Sequence, residues 1–333
     1  MKITFFDIKE EEEISFLKKK LKKHNIQFFS ESIQEVPLEK FKDSEIICVF
    51  IYSEVNQRIL KKLKRIKCVL TRSTGFDHID IKYCENNYIA VGNVPLYGEN
   101  TVAEHTFALM LNLARNVHKS YLREKKGDFS IDGLRGFDLK GKTLGILGVG
   151  HIGLHVIKMA KGFGMDVLAY DINQNHFLSE VMHYSYASFE EVLKRSDIIS
   201  LHMPLNKYTK HILNDKTLSL TKKGVTIINT SRGELIDSQA LYTYLKKGHV
   251  GGAGLDVIEG EEHIVHEDEL IANKEKHEEI AQLMTNKEIL KHENVIFTPH
   301  NAFNSQEAVK RILLATIENI EEFKKIKKLK YVI

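Results

Sequence analysis

Residues Thr143-Leu144-Gly145-Ile146-Leu147-Gly148-Val149-Gly150-His151-Ile152-Gly153 decide the fold. An apolar run leads directly into glycines spaced G-x-G-x-x-G, and apolar residues follow at helical spacing at Val156, Ile157 and Ala160. Glycines at this spacing also occur by chance, so the prediction depends on the strand before them and the helix after them. Together these features predict a strand, a tight turn and a helix that begin a parallel sheet.

The same stretch predicts a dinucleotide site. Gly148 permits the tight turn, Gly150 lets the backbone approach a pyrophosphate, and Gly153 allows the helix to pack closely on the strand. The next strand, Asp166–Tyr170, ends in Asp171, whose carboxylate can accept hydrogen bonds from ribose hydroxyls. Because a carboxylate repels a 2′-phosphate and no arginine follows directly, the sequence favours NAD over NADP.

Apolar runs alternate with helix-like stretches on both sides of this motif. Before it, the runs are Ile3–Phe6, Ile26–Phe29, Ile46–Ile51, Val69–Leu70 and Ile89–Val91. From the motif onward, they are Thr143–Leu147, Val167–Tyr170, Ile198–Leu201, Val225–Asn229, Gly254–Val257 and Val295–Thr298. Continuous apolar strands between helices predict α/β domains with parallel sheets that are covered on both faces.

Three segments between the strands also carry predictions. Thr101-Val102-Ala103-Glu104 fits a capping box and predicts a helix that starts near Asn100, and its apolar excess predicts burial between domains or subunits. Residues 125–142 are polar and glycine-rich, which indicates a linker. Residues 259–292 are charged and interrupt the second strand series. His263 and His266 in that segment have no partner cluster at ligand spacing, so we predict no metal site.

Length and composition narrow the class of protein. The 333 residues suggest two domains, and 48 Lys+Arg against 45 Asp+Glu leave a charge of +3, which argues against a nucleic-acid binder with a basic face. No apolar run approaches the roughly 18–20 residues that span a bilayer. The acidic run Glu10–Glu13 argues against a secretory signal, and Cys48, Cys68 and Cys84 are expected to be buried thiols, so we expect a cytoplasmic protein.

The residues directly after the later strands are the candidates for chemistry, because ligands bind at the carboxyl ends of strands in an open α/β sheet. These residues are Met203, Pro204, Thr230, Ser231, Arg232, Asp256 and His300. A histidine can donate a proton to a carbonyl oxygen that receives a hydride, and a nearby carboxylate stabilises the imidazolium. An arginine fork matches a substrate carboxylate with two hydrogen bonds.

These motifs resemble those of the D-isomer-specific 2-hydroxyacid dehydrogenases along essentially the whole chain, and most of all those of their D-lactate dehydrogenase branch. The resemblance is carried by Gly148–Gly153 with Asp171, by Ile228–Gly233, by Gly254–Glu261 and by Thr298–Phe303. The chain departs from the family pattern at Gly260, where an acidic residue is expected before Glu261.

The resemblance implies roles for particular residues. His300 would be the general acid/base, Glu261 its carboxylate partner, and Arg232 the residue that binds the substrate carboxylate. Further substrate-binding residues would be Thr74, Gly75, Tyr97 and Phe303. The cofactor-binding residues would be Gly148, Gly150, His151, Ile152, Gly153, Asp171, Met203, Pro204, Thr209, Thr230, Ser231 and Asp256.

The resemblance also implies the architecture and the reaction. Two doubly wound parallel-sheet domains are expected, with a Rossmann-type NAD domain (100–301) inserted in a flavodoxin-like substrate domain (1–99 with 302–333), substrate between them, and a homodimer. The reaction would be NADH-dependent reduction of pyruvate to D-lactate and its reverse. Two alternatives stay open, namely a bulkier branched-chain or phenyl 2-oxo acid as substrate, and an NAD(H)-sensing corepressor of the same fold.

Overall fold

The computed structural model describes residues 1–265, 267, 270, 276–326 and 329. The chain divides into two compact units, Met1–Tyr97 with Ser305–Ile333, and Gly98–Asn304. His266 and residues 327, 328 and 330–333, on which sequence predictions fell, lie outside the described residues. Within the described residues, no helix combines the length and the apolar character needed to cross a membrane.

The two units contain twelve described strands and thirteen described helices, which we number in chain order. The strands are β1 (Lys2–Phe5), β2 (Asn25–Phe28), β3 (Ile46–Val49), β4 (Cys68–Thr71), β5 (Ala90–Gly92), β6 (Thr143–Leu147), β7 (Asp166–Tyr170), β8 (Ser185–Tyr186), β9 (Ile198–Leu201), β10 (Val225–Asn229), β11 (Val250–Leu255) and β12 (Val295–Phe297). The helices are α1 (Glu11–Lys20), α2 (Gln57–Leu60), α3 (Ile81–Asn86), α4 (Glu99–Arg115), α5 (Val117–Glu124), α6 (His151–Gly162), α7 (His176–Val181), α8 (Phe189–Arg195), α9 (Asp215–Leu218), α10 (Ser238–Lys246), α11 (Glu262–Val265), α12 (His277–Lys291) and α13 (Gln306–Ile326).

The first unit is a five-stranded parallel sheet in the order β2-β1-β3-β4-β5. This is the flavodoxin-like strand order. Ile46 and Cys48 pack in one core cluster, whereas Ile47 and Val49 pack in another on the opposite face. Successive side chains of a strand point to opposite faces, so a strand buried on both faces is a continuous apolar run. This confirms the α/β prediction for the N-terminal runs.

The second unit is a seven-stranded parallel sheet in the order β12-β11-β10-β9-β6-β7-β8. From β8 to β11 this is the dinucleotide-binding order, with β6 at the position where the direction of winding reverses, and β12 adds a strand at the edge. The fold is therefore two parallel-sheet domains, one of them of Rossmann type, as the sequence predicts. The two-residue strand β8 was not predicted.

Two local predictions differ from the structure, and one further segment contains helices that the sequence does not predict. The helix predicted to start near Asn100 with a capping box begins at Glu99, after Gly98 and without a side-chain cap, because Thr101 already lies inside it. The strand predicted at Gly254–Val257 is β11 (Val250–Leu255), whose glycines hide its apolar pattern. The charged segment 259–292 contains α11 and α12, and α12 buries Leu283 and Ile289.

Gly251 in β11 has no space for a side chain. A Cβ atom there would lie 2.6 Å from the carbonyl oxygen of Gly224, which is backbone and cannot move aside easily. We expect Gly251→Ala to destabilise the second unit by about 1–3 kcal/mol through overpacking. Gly162→Ala is the matched control, because a Cβ at the end of α6 meets no atom within 4 Å. Urea unfolding followed by circular dichroism checks this, and equal stabilities of the two variants would contradict it.

Candidate active site at the carboxyl edge of the second sheet

The register of three neighbouring strands brings the candidate residues to one edge. Asn229 of β10 pairs with Leu255 of β11, and Leu255 pairs with Phe297 of β12. The chain therefore leaves all three strands at the same level, and the segments that carry Arg232, Asp256 and His300 follow within three residues of the strand ends.

His300 and Glu261 form a hydrogen-bonded pair at this edge. His300 Nδ1 lies 2.8 Å from Glu261 Oε1, although the two residues are 39 positions apart in the sequence. Both side chains are partly buried, with 23% and 34% of their surface exposed. Because Glu261 bonds Nδ1, Nε2 is the ring nitrogen of His300 that remains for a bond to another molecule.

Asp256 holds the loop that carries His300. Its carboxylate accepts hydrogen bonds from the Thr298 hydroxyl (2.5 Å) and from the backbone N–H groups of Asn301 (2.8 Å) and Ala302 (2.9 Å). Its carbonyl accepts the N–H of His300 at 2.8 Å. His300 has a φ of +50°, a left-handed conformation that non-glycine residues adopt rarely and that persists only where surrounding bonds enforce it.

The carboxylate of Asp256 is kept ionised by its neighbours. Burial by itself raises the pKa of Asp256, but hydrogen bonds from His105, Thr298 and the loop backbone outweigh it, so its pKa lies below the ordinary 3.8. His105 Nε2 lies 2.9 Å from Thr298 Oγ1 and 3.4 Å from Asp256 Oδ1. Sequence reasoning missed His105, since only the fold brings α4 beside this loop.

Gly233, the residue after Arg232, packs closely on the Ile258–Glu259 peptide, which precedes Glu261. A Cβ at Gly233 would lie 2.2 Å from the carbonyl carbon of Ile258 and 2.4 Å from the N of Glu259, so only glycine fits there. Arg232 Nη1 also donates to the carbonyl of Ser231 at 2.8 Å. The positions of Arg232 and Glu261 are therefore linked through the backbone of this contact.

Gly260 explains the departure from the family pattern. It has a φ of +69°, and a Cβ there would lie 3.0 Å from the His263 ring and 3.1 Å from Gln282 Cγ. An acidic residue in this place would be strained and crowded. Glu261 keeps its register because its N–H donates to the carbonyl of Ile258 at 3.1 Å, which closes the turn.

The glycine-rich turn after β6 fits a pyrophosphate. Gly148 has a φ of +99°, and nothing lies within 4 Å of a Cβ built on Gly150, so the space before the N-terminus of α6 is open. His151 and Ile152 begin that helix. Gly153 packs on Gly148, whose carbonyl oxygen lies 2.3 Å from where a Cβ would be. The chemistry of this turn suits NAD.

Asp171 and the remaining predicted cofactor residues line the same edge. The Asp171 carboxylate accepts the N–H groups of Val149 (2.6 Å) and Asn173 (2.7 Å), which places its charge at the end of β7 beside the turn. Thr209 donates its hydroxyl to the carbonyl of Pro204 at 2.7 Å, in the loop that follows Met203. Further along this edge, Thr230 bonds Thr106, and Ser231 donates to the carbonyl of Leu201.

His202 follows β9 at the same edge but differs from His300 in its environment. Burial lowers the pKa of His202 to about 3, so this imidazole is neutral at physiological pH. Its Nε2 lies 2.8 Å from the Ser200 hydroxyl. Among the described residues, no group of three or more His, Cys, Asp and Glu side chains is suited to hold a metal ion.

The predicted substrate-binding residues of the first unit lie in two neighbouring loops. The Thr74 hydroxyl donates to the carbonyl of Val94 at 2.9 Å, and the carbonyl of Gly75 accepts the Ser73 hydroxyl at 2.6 Å. Tyr97 is buried, and its carbonyl accepts Arg311 Nε at 2.6 Å. Phe303 follows the His300 loop in the second unit. The substrate roles of Thr74, Gly75, Tyr97 and Phe303 stay predictions.

Known proteins are similar to this chain over most of its length. The family model described as D-isomer specific 2-hydroxyacid dehydrogenase, NAD binding domain, matches residues 107–302. The 2-hydroxyacid dehydrogenase homolog 1 of Schizosaccharomyces pombe is 37% identical over 97% of this chain and 96% of its own. An aromatic 2-oxoacid reductase of Clostridium sporogenes is 38% identical over 80% and 79%. The crystal structure of D-lactate dehydrogenase from Aquifex aeolicus complexed with NAD and lactic acid has a TM-score of 0.87 at 36% identity, covering 97% of this chain and 95% of that one.

We expect Asp256→Asn to destabilise the protein by about 1–3 kcal/mol at pH 7, because an amide leaves at least one loop N–H without an acceptor. The pKa of Asp256 is lower in the folded protein than its ordinary 3.8, so its charge stabilises the fold above that pH, and this contribution disappears as the pH falls below it. The difference between wild type and variant should therefore shrink in urea unfolding at acidic pH. The exposed Asp166→Asn is the control, and a difference that stays constant with pH would contradict the assigned role.

Proposed function

Because the chain belongs to the D-isomer specific 2-hydroxyacid dehydrogenase family, we propose that it is an NAD-dependent D-lactate dehydrogenase that reduces pyruvate to D-lactate and catalyses the reverse reaction. Membership of the family makes it an NAD-binding oxidoreductase. The observation that carries the proposal is the pair of His300 and Glu261, an imidazole bonded to a carboxylate at the edge of the sheet where ligands bind.

His300 is the proton donor to the keto oxygen, and in the reverse direction it accepts the hydroxyl proton. Its Nδ1 is occupied by Glu261 at 2.8 Å, so Nε2 is the nitrogen that exchanges the proton with substrate. The negative charge of Glu261 stabilises the imidazolium, and the hydrogen bond fixes the orientation of the ring. Bound NADH supplies the hydride that reduces the 2-carbon.

Arg232 binds the substrate carboxylate and polarises the keto oxygen. Its planar fork offers parallel N–H donors to a carboxylate, which a lysine cannot do. The bond to the Ser231 carbonyl and the close packing of Gly233 on the Ile258–Glu259 peptide fix the backbone that carries this side chain. The substrate is thereby oriented relative to His300 before the reaction.

A bulkier 2-oxo acid is the second candidate substrate. The 38% identity to an aromatic 2-oxoacid reductase favours it. A fall in NADH absorbance, followed with pyruvate, a branched-chain 2-oxo acid and phenylpyruvate, separates the two. We expect the highest kcat/KM with pyruvate. A highest value with phenylpyruvate would establish the second candidate, and no reaction with any of them would contradict an enzyme and favour the corepressor.

We also propose that the protein is a homodimer. The apolar side chains of α4 pack mainly inside the second unit, on α6 and the sheet. The apolar character of α4 is therefore explained by burial within one chain and does not by itself indicate a subunit interface. The segment after α4 instead exposes five large apolar side chains within 15 residues, which we call the apolar patch, namely Val117, Tyr121, Leu122, Phe129 and Ile131. Such a patch on a protein surface is typical of an interface.

Charges in this patch should separate the protomers. Phe129 and Ile131 are 79% and 82% exposed, so Phe129→Glu with Ile131→Glu leaves the fold intact and places carboxylates in the interface. Light scattering should show twice the chain mass of 38.3 kDa for wild type and a single chain mass for the variant. Phe177→Glu, on the equally exposed α7, should stay dimeric. A monomeric wild type would exclude the homodimer.

Removal of the proton donor should abolish most of the activity. We expect His300→Gln to lower kcat/KM for pyruvate by about 10²–10⁴-fold, because the keto oxygen then lacks a general acid. The affinity for NADH, measured by fluorescence titration, should be unchanged. His277→Gln, at the exposed start of α12, is the control for loss of a histidine. Wild-type kcat/KM in His300→Gln would show that another group donates the proton.

A further inference from the structure

The turn before Glu261 receives two side-chain amides from α12. The carbonyl of Glu259 accepts Asn286 Nδ2 at 2.7 Å and Gln282 Nε2 at 3.4 Å. Gln282 Nε2 also lies 2.9 Å from Asn286 Oδ1, so the two amides bond each other. Asn286 is fully buried beside Leu283 and Ile289, at a position where an amphipathic helix would otherwise carry an apolar residue.

The position of Glu261 depends on the orientation of the Glu259 carbonyl, because Glu259 lies at the centre of the turn that ends at Glu261. Ile258 and Glu261 are its ends, joined by the bond from Glu261 N–H to the Ile258 carbonyl. Glu259 and Gly260 are its centre, and the φ of +69° at Gly260 is the value that a type II turn requires at its third position. The central peptide of such a turn can rotate when its carbonyl has no partner, because glycine accepts either sign of φ.

We propose that Asn286, with Gln282, is a positioning residue that holds the Glu259–Gly260 peptide in this orientation and thereby keeps Glu261 on His300. A buried carbonyl without a donor is costly, so loss of the Asn286 amide favours rotation of the peptide. Glu261 is the next residue, and its carboxylate then leaves the 2.8 Å bond to His300 Nδ1. This inference rests on the proposed function only for its kinetic consequences.

The Glu259 side chain supports the same turn from another direction. Its Oε1 lies 2.7 Å from His211 Nε2, and the N–H of His211 donates to the carbonyl of Glu234 at 2.8 Å. This contact holds the side chain of Glu259 but not the central carbonyl of the turn. Asn286 and Gln282 therefore bond the central carbonyl of the turn, which His211 does not.

Asn286→Leu tests the inference, because leucine has a similar volume and no N–H donor. Thr285→Val is the matched control. Thr285 lies beside Asn286 on α12, and its hydroxyl bonds Gln239 of α10 and does not contact the turn. We expect kcat for pyruvate reduction to fall about 10-fold in Asn286→Leu, as for other small displacements of reacting groups. The KM for NADH should be unchanged, and Gln282→Leu should show a smaller loss of kcat.

Crystal structures of Asn286→Leu and Thr285→Val separate this inference from the proposed function. The distance from His300 Nδ1 to Glu261 Oε1 should exceed about 3.5 Å in Asn286→Leu and stay near 2.8 Å in Thr285→Val. An unchanged distance and an unchanged kcat in Asn286→Leu would overturn the inference. If wild type reduces no 2-oxo acid but the distance lengthens as expected, the proposed function fails and the positioning role stands.

Discussion

The buried carboxylate of Asp256 is the constraint on which the site depends. Asp256 follows β11 directly, and its carboxylate accepts hydrogen bonds from the Thr298 hydroxyl and from two backbone N–H groups of the loop after β12. Those bonds impose on His300 a left-handed φ of +50° that an isolated histidine would rarely adopt. An anion that accepts several hydrogen bonds compensates for its own burial and fixes the loop at the same time.

The parallel sheet supplies the rest of the arrangement. Since β10, β11 and β12 end at the same level, the segments that carry Arg232, Asp256 and His300 leave the sheet at one edge. The bond between Glu261 and His300 brings Glu261 to the same edge. The close contact at Gly233 fixes the backbone beside Arg232, and the turn at Gly260 fixes the backbone beside Glu261. Precise placement of side chains thus comes from rigid strands and from turns that are held at several points.

The sequence predicts most of the strands because strands buried on both faces are continuous apolar runs, as in Ile46–Val49. It misplaces β11, since the glycines that allow close packing remove the apolar signal, and it misses β8, which has two residues. The strand ends alone indicate Arg232 and His300 as candidates, whereas Glu261 is implied only by the family resemblance. The partners of Asp256 and the buried Asn286 are not predictable, because no motif marks them and their contacts follow only from packing.

A hydride transfer to a 2-oxo acid at the edge where His300 lies is the reaction that we propose for this protein. NADH that carries deuterium at the transferred position of C4 tests it most directly, with pyruvate as substrate and the product separated by chiral chromatography and weighed by mass spectrometry. We predict D-lactate with one deuterium at C2. Product without deuterium, or L-lactate, would contradict it.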